Sequence, residues 1–175
     1  IKLAAPTGKA AARLTESIEN ALGSMVLSEQ LRSSIPTEAM TIHRLLGGRH
    51  FKYHAQNPLP VDLLIVDEAS MVDLSLMSSL LQALPKQARL ILLGDKDQLA
   101  SVEAGAILGE LGQFLNQGYS SEHIQYLNVV TDAQLVDNHT EGNEIRDYLC
   151  YLTESRRFTN KSAIGILANS VNQRK

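Results

Sequence analysis

The sequence predicts an α/β fold, a mostly parallel sheet flanked by helices, and three observations predict it. Two apolar runs, Leu63-Leu64-Ile65-Val66 and Leu90-Ile91-Leu92-Leu93, have strand length and lead into Asp67 and Asp95. Runs of this kind suit central parallel strands buried on both faces. Each is followed by a stretch with helical character, Met71 to Leu84 (stopped by Pro85) and Ala104 to Gln117. The alternation of strand and helix at this spacing implies parallel strands joined by right-handed crossovers.

The remaining elements follow in order. Ile1 to Ala5 reads as a strand and Pro6-Thr7-Gly8 as a turn. Lys9 to Leu22 reads as a helix with Ala10, Ala11, Leu14, Ile18, Ala21 and Leu22 on one face, ended by Gly23-Ser24. Residues 24–38 suggest a short helix and a loop, and Thr41 to Leu46 one or two helical turns before Gly47-Gly48. Residues 118–143 are polar and read as a surface insertion. Tyr148 to Leu152 reads as a further strand, and Ala163 to Val171 as a last helix.

Composition narrows the classes. At 175 residues, 44% hydrophobic and 20% charged, the chain is globular rather than disordered, and a domain of this size buries about 70% of its unfolded surface. One cysteine, Cys150, makes no intrachain disulfide and points to a reducing, cytoplasmic home. No apolar run approaches the roughly 18 residues of a membrane span. Net charge −3 excludes a whole-domain basic footprint, so any nucleic-acid contact has to be local. Ile1 opens directly on a strand, which reads as a segment cut from something longer.

Asp67-Glu68 places two carboxylates at the carboxyl end of a central strand, where open α/β sheets bind ligands. In this Walker B arrangement the first carboxylate holds hydrated magnesium and the second accepts a proton from attacking water; an acidic strand-to-helix turn is the plainer alternative. Gly94-Asp95-Lys96-Asp97-Gln98 ends the next strand, where Gln98 can hydrogen-bond a terminal phosphate. Pro6-Thr7-Gly8-Lys9 is not a nucleotide-binding phosphate loop, because G-x-x-x-x-G-K-[ST] would require glycine at Leu3 and a hydroxyl at Ala10. The Gly8 and Lys9 amides at a helix N-terminus still suit a phosphate of a DNA backbone. Between Glu38 and Asp62 there is no acidic residue, while Arg44, Arg49, Lys52, His43, His50, His54, Phe51 and Tyr53 crowd together. That surface fits single-stranded DNA, and equally a solvated loop whose aromatics cover core. No cysteine or carboxylate stands at ligand spacing from these histidines, which argues against zinc. Arg156-Arg157 follows the expected last strand, where an arginine can stabilise phosphoryl charge or simply form a surface ion pair.

Together these segments resemble superfamily 1 DNA helicases, and among them the RecD family, the alpha subunits of exonuclease V. Ala4 to Leu14 resembles motif Ia, and Thr41 to Gly47 the segment that follows it. Ile65 to Asp73 resembles motif II, Leu93 to Gly105 motif III, and Leu152 to Phe158 motif IV. The resemblance implies a RecA-like P-loop NTPase fold, here without its Walker A segment. It also implies an ATP- and Mg²⁺-dependent 5′–3′ motor on single-stranded DNA, working with two other subunits of a helicase-nuclease in double-strand-break repair and recombination. Carried over by position, Asp67 would bind Mg²⁺, Glu68 would activate water, Gln98 would sense the γ-phosphate and Arg157 would contact it. Pro6, Thr7, Lys9, Thr41 and His43 would line the DNA track, joined by Gly8 and Arg44 from the charge reading above. Residues 1–160 would be a partial motor domain carrying motifs Ia to IV with the 118–143 insertion. Residues 161–175 would be a helix leading toward a second motor domain beyond Lys175, and motif I would precede Ile1. A fragment so bounded would lack motor activity alone. A stand-alone or relaxase-linked helicase of the same superfamily, or a nucleotide-free interaction domain, are the competing readings.

Overall fold

A computed structural model of the chain describes residues 1–95, 107–137 and 141–152. It divides into two compact units, Ile1–Gly109 and Glu110–Lys175. In the first, β1 (Lys2–Ala5), β2 (Ala39–Thr41), β3 (Leu63–Val66) and β4 (Arg89–Leu92) form one sheet in the order β2-β1-β3-β4. Every neighbouring pair is parallel, with Ala5 opposite Thr41, Ala4 opposite Val66 and Val66 opposite Leu92. All four strands therefore end on one edge of the sheet.

Helices α1 (Gly8–Ser24) and α2 (Glu29–Ser34) carry the chain from β1 to β2. Helix α3 (Ile42–Leu45) follows β2 directly, and α4 (Leu74–Ala83) joins β3 to β4. All four of these helices are capped by side chains predictable from residue type, α2 by Ser28, whose Oγ accepts from the Leu31 amide (3.4 Å). The hydroxyl of Thr7 accepts from the Ala10 amide (3.2 Å), that of Thr41 from Arg44 (3.2 Å), and the Asp73 carboxylate from Leu76 (2.8 Å). Each cap is worth about 1 kcal/mol. The Asp73 cap also explains why the helix expected from Met71 starts later: residues Ala69–Met71 form a separate 3₁₀ turn.

The main core lies on one face of the sheet, where Leu64 and Val66 meet Ile42, Leu46, Val72 and Leu80, all fully buried. Burying one such side chain stabilises by about 1.5–3 kcal/mol. On the opposite face Ala10 and Ala11 of α1 pack on Ala5 and Ala39. Small residues let helix and strand approach closely there. Of the face expected for α1, Ala21 is exposed and Ile18 half-buried.

The sheet corrects two expectations. Strand β2 is hidden in the sequence, because three residues, Ala39-Met40-Thr41, are too few to show any periodicity. Strand β4 is not covered on both faces: Leu90 and Leu92 turn toward the core, whereas Arg89 and Ile91 on the other face are exposed. Helix α1 lies across β1 and β2, and among the described residues nothing comparable covers β4.

Helix α5 (Ile107–Gly112) and a 3₁₀ turn over Gln113–Gln117 occupy the stretch read as one helix, running across the boundary of the units. In the second unit, the polar stretch 118–143 contains a ten-residue helix, α6 (Ser121–Val130), capped by Ser120, whose Oγ accepts from the His123 amide. The strand expected over Tyr148–Leu152 is absent: Glu144–Tyr148 is a 3₁₀ turn, and residues 149–152 have no regular structure. Asn143 explains the turn, since its side chain accepts from the Ile145 amide (3.0 Å) and starts a helical rather than an extended path. The helices expected at 163–171 and 161–175 lie outside the described residues. Among the described residues, no helix is long and apolar enough to cross a membrane.

Candidate functional site

Four parallel strand ends, about 4.8 Å apart, make a rim roughly 14 Å wide. Its order follows from the topology: Thr41 and α3 after β2, Pro6-Thr7-Gly8 after β1, Asp67-Glu68 after β3, and Leu93-Gly94-Asp95 after β4. The sequence candidates within the described residues therefore all fall on one edge. Gln98 and Arg157 lie outside those residues.

On the β3 side, Asp67 is half-buried and held from both flanks. Its amide donates to the Ala4 carbonyl (2.9 Å), and its Oδ1 accepts from the Glu68 amide (2.9 Å). Leu93 N donates to Val66 O and Ala69 N to Leu93 O, both at 2.8 Å, so the Asp67-Glu68 turn is stitched to the end of β4. Glu68 sits in the left-handed region (φ 53°, ψ 39°), an uncommon place for a non-glycine residue. Such conformations cost about 1–3 kcal/mol and cluster at functional sites.

Gly94 permits this close approach. A Cβ there would lie 2.8 Å from Leu108 Cδ2 and 3.1 Å from the amide nitrogens of Ala69 and Ser70. The sequence puts Gly94 in a motif but gives no sign that any side chain there would push the carboxylate turn outward.

On the β2–β1 side, two helices begin on neighbouring strands. Thr7 and Thr41 spend their hydroxyl acceptors on capping, so what they present outward is the start of α1 and of α3. Lys9, His43 and Arg44 are exposed, Gly8 has open space around its Cα, and Pro6 is half-buried. Helix N-termini carry partial positive charge, and these side chains add to it.

The basic loop after α3 is turned by Gly47 (φ 95°) and Gly48 (φ 87°). A Cβ on Gly47 would collide with Lys52 Cβ at 2.5 Å. Tyr53 N returns to Leu46 O (3.2 Å), and His54 and Asn57 bond each other's backbone. Phe51 and Tyr53 are partly buried against the main core, while the Lys52 ammonium lies over the Tyr53 ring, 5.2 Å from its centroid. What stays outside is charge, from Arg44, Arg49 and Lys52, with the His43 ring tilted against Phe51 at 5.9 Å.

Residues 1–104 match the family described as AAA domain, more than half of the chain. The chain belongs to the AAA domain family. The match ends close to Gly109, where the first compact unit ends. The parallel sheet and this match together give the RecA-like α/β class that the sequence predicted. The RecBCD enzyme subunit RecD of Haemophilus influenzae is 52% identical over 183 aligned residues, covering 100% of this chain and 28% of that protein. The subunit of the same name from Buchnera aphidicola (Acyrthosiphon pisum) is 36% identical, covering 100% of the chain and 30% of its own length. An ATP-dependent RecD2 DNA helicase of Deinococcus radiodurans is 44% identical over 65% of the chain. The RecD resemblance thus extends along this whole AAA domain chain and past the family match. The chain spans about three tenths of the length of the first two of these relatives.

Proposed function

We propose that this chain is part of the motor of an ATP-dependent 5′–3′ DNA helicase, the alpha subunit of an exodeoxyribonuclease V that acts in double-strand-break repair and recombination. The observation that carries the reading is the order of the rim: a carboxylate turn after β3 stands beside a basic, helix-starting edge after β1 and β2. Similarity over the whole chain to the RecBCD subunits of Haemophilus influenzae and Buchnera aphidicola, the former at 52% identity, supports the subunit reading.

The donor set fits magnesium, which is held through one or two carboxylates plus phosphate oxygens and retains water. Asp67 would be that carboxylate: its Oδ1 is fixed by the Glu68 amide, and its second oxygen would face a hydrated cation in this reading. Bound magnesium would neutralise phosphate charge during transfer. Glu68, held in its left-handed backbone conformation, accepts the proton of the attacking water. Gln98 and Arg157 are assigned as γ-phosphate contacts by the sequence resemblance alone. Pro6, Thr7, Gly8, Lys9, Thr41, His43 and Arg44 contact single-stranded DNA through its phosphates, the exposed Lys9 and Arg44 supplying the charge. In this reading residues 1–160 belong to the first motor domain.

The test uses the full-length protein with a duplex carrying a single-stranded tail. ATP-dependent unwinding should require a 5′ tail. Unwinding from a 3′ tail alone, or none with either tail while ATP is hydrolysed, would sink the 5′–3′ assignment.

A further inference from the structure

The second unit carries a surface opposite in character to the rim. Residues 110–152 contain seven Asp or Glu against a single Lys or Arg, Arg146, which is buried yet lines the cleft of this unit, and residues 153–175 of the same unit add one Glu and five Lys or Arg. Helix α6 and the 144–148 turn enclose a cleft of about 720 Å³ lined by Glu122, His123, Tyr126, Glu144 and Tyr148 among others. The rings of Tyr119, His123 and Tyr126 run along one side of α6, with centroids 5.1 and 6.0 Å apart. Tyr126 is 59% exposed and Tyr148 86%, and Val129 beside them on α6 is 85% exposed.

The cleft is built, not incidental. Its two walls are far apart in sequence and are tied at several points. The Asp147 carboxylate accepts from the Ser120 amide (2.7 Å) and hydroxyl (2.6 Å), Tyr119 Oη donates to Leu149 O (3.0 Å), and the Gln117 side chain accepts from Asn143 N (2.9 Å). Partial burial works to raise the Asp147 pKa, but the Ser120 donors, helped by His123 and Arg146, outweigh it and hold the carboxyl below its ordinary value. The clasp is thus ionised near neutral pH. A Cβ on Gly142 would meet the Gln117 side-chain tip that accepts from Asn143 N, so a larger residue there would have to shift that tie. Walls fixed in advance lower the ordering cost of binding.

Chemistry decides the occupant. Nucleic acid is repelled by this excess of carboxylates. A cleft of exposed tyrosine faces and carboxylates takes a basic side chain, by cation–π attraction and charge-assisted hydrogen bonds. Val129 adds apolar area of the kind that surrounds an interface anchor. We propose that this cleft docks a segment of another subunit of the assembly, one that inserts an arginine or lysine between Tyr126, Tyr148, Glu122 and Glu144 and lays apolar residues on Val129. The inference rests on the subunit reading above.

The test co-expresses the full-length chain with the other subunits of the assembly and measures complex formation by size-exclusion chromatography across a salt series. Glu122→Lys/Glu144→Lys and Tyr126→Ala/Val129→Ser should each weaken assembly by roughly tenfold or more. The charge-reversal defect should shrink as salt rises, because repulsion is screened. DNA-stimulated ATP hydrolysis by each variant chain alone should stay at the unmodified level, which shows that it is folded. A photo-crosslinker at Tyr126 should capture a partner subunit. Capture of DNA, of a second copy, or of the chain's own basic residues in 153–175 would overturn the proposal. If the unmodified chain assembles and both variants assemble equally well, the docking surface alone is wrong; if the unmodified chain never assembles, the subunit reading falls with it.

Discussion

In the proposed function the two halves of the rim both meet phosphate, and they are built from opposite materials. The β3–β4 half is built from half-buried, strained and tightly stitched backbone: Glu68 at positive φ, Gly94 against the Ala69 and Ser70 amides, and Asp67 bonded to β1. The β2–β1 half is built from exposed charges on ordinary, well-capped helix starts. Position counts most where a bond is to be broken, since misplacing a reacting group by about 1 Å can cost around 10²-fold. It counts least where a charged chain is only to be gripped and released. The first half should therefore respond to small substitutions with large losses, and the second with graded ones.

The largest effect should come from Glu68→Gln in the full-length protein. Shape is preserved while the proton acceptor is removed, so turnover should fall by about 10²- to 10⁴-fold with ATP binding retained, read by steady-state hydrolysis beside equilibrium nucleotide binding. A loss under tenfold would remove Glu68 as the base. Glu68→Gly sharpens the same point: it should abolish turnover yet leave the thermal midpoint unchanged or raised, because a left-handed backbone costs a non-glycine residue about 1–2 kcal/mol.

Gly94→Ala comes next. Its Cβ has to displace Leu108 and crowd two backbone amides, which should cost about 1–3 kcal/mol in chemical denaturation. ATP hydrolysis should fall with it although no reacting group is touched. Equal stability and activity would mean that the two strand ends are not held as tightly as their hydrogen bonds indicate.

The smallest effects belong to the basic half. Lys9→Ala and Arg44→Ala should each weaken single-strand binding whatever the base sequence, and flatten the dependence of log affinity on log salt by roughly 0.7 for every phosphate no longer neutralised. Fluorescence anisotropy over a salt series reads both quantities. Variants with unchanged slope and affinity would return these residues to an ordinary solvated surface, and the contrast between the halves would disappear.

Much of this contrast was legible in the sequence because it depends on residue type at strand ends. Asp67 and Thr7 could be placed on one edge once the strands were read as parallel. Illegible were features that depend on what lies opposite. The three residues of β2 become a strand only through pairing with β1, and the exposure of Ile91 reflects how far α1 reaches. The left-handed turn at Glu68 leaves no mark in composition. Ser120 and Asp147, 27 residues apart, could be joined only by the fold. Tyr148 to Leu152 misled because its apolar residues suggested a buried strand, whereas Tyr148 and Leu152 are largely exposed.

Strand β1 lies between β2 and β3 and bonds to both, its Ala4 carbonyl taking the Asp67 amide. A hydrogen-bonded ladder resists sliding, because a shift by one residue would turn every side chain to the wrong face. The distance from Asp67 to Thr7 is therefore as good as inextensible. Under the proposed function, work done at the carboxylate turn is not stored as stretch within this sheet; it is delivered by carrying the whole plate, its β1–β2 edge included, against some other body.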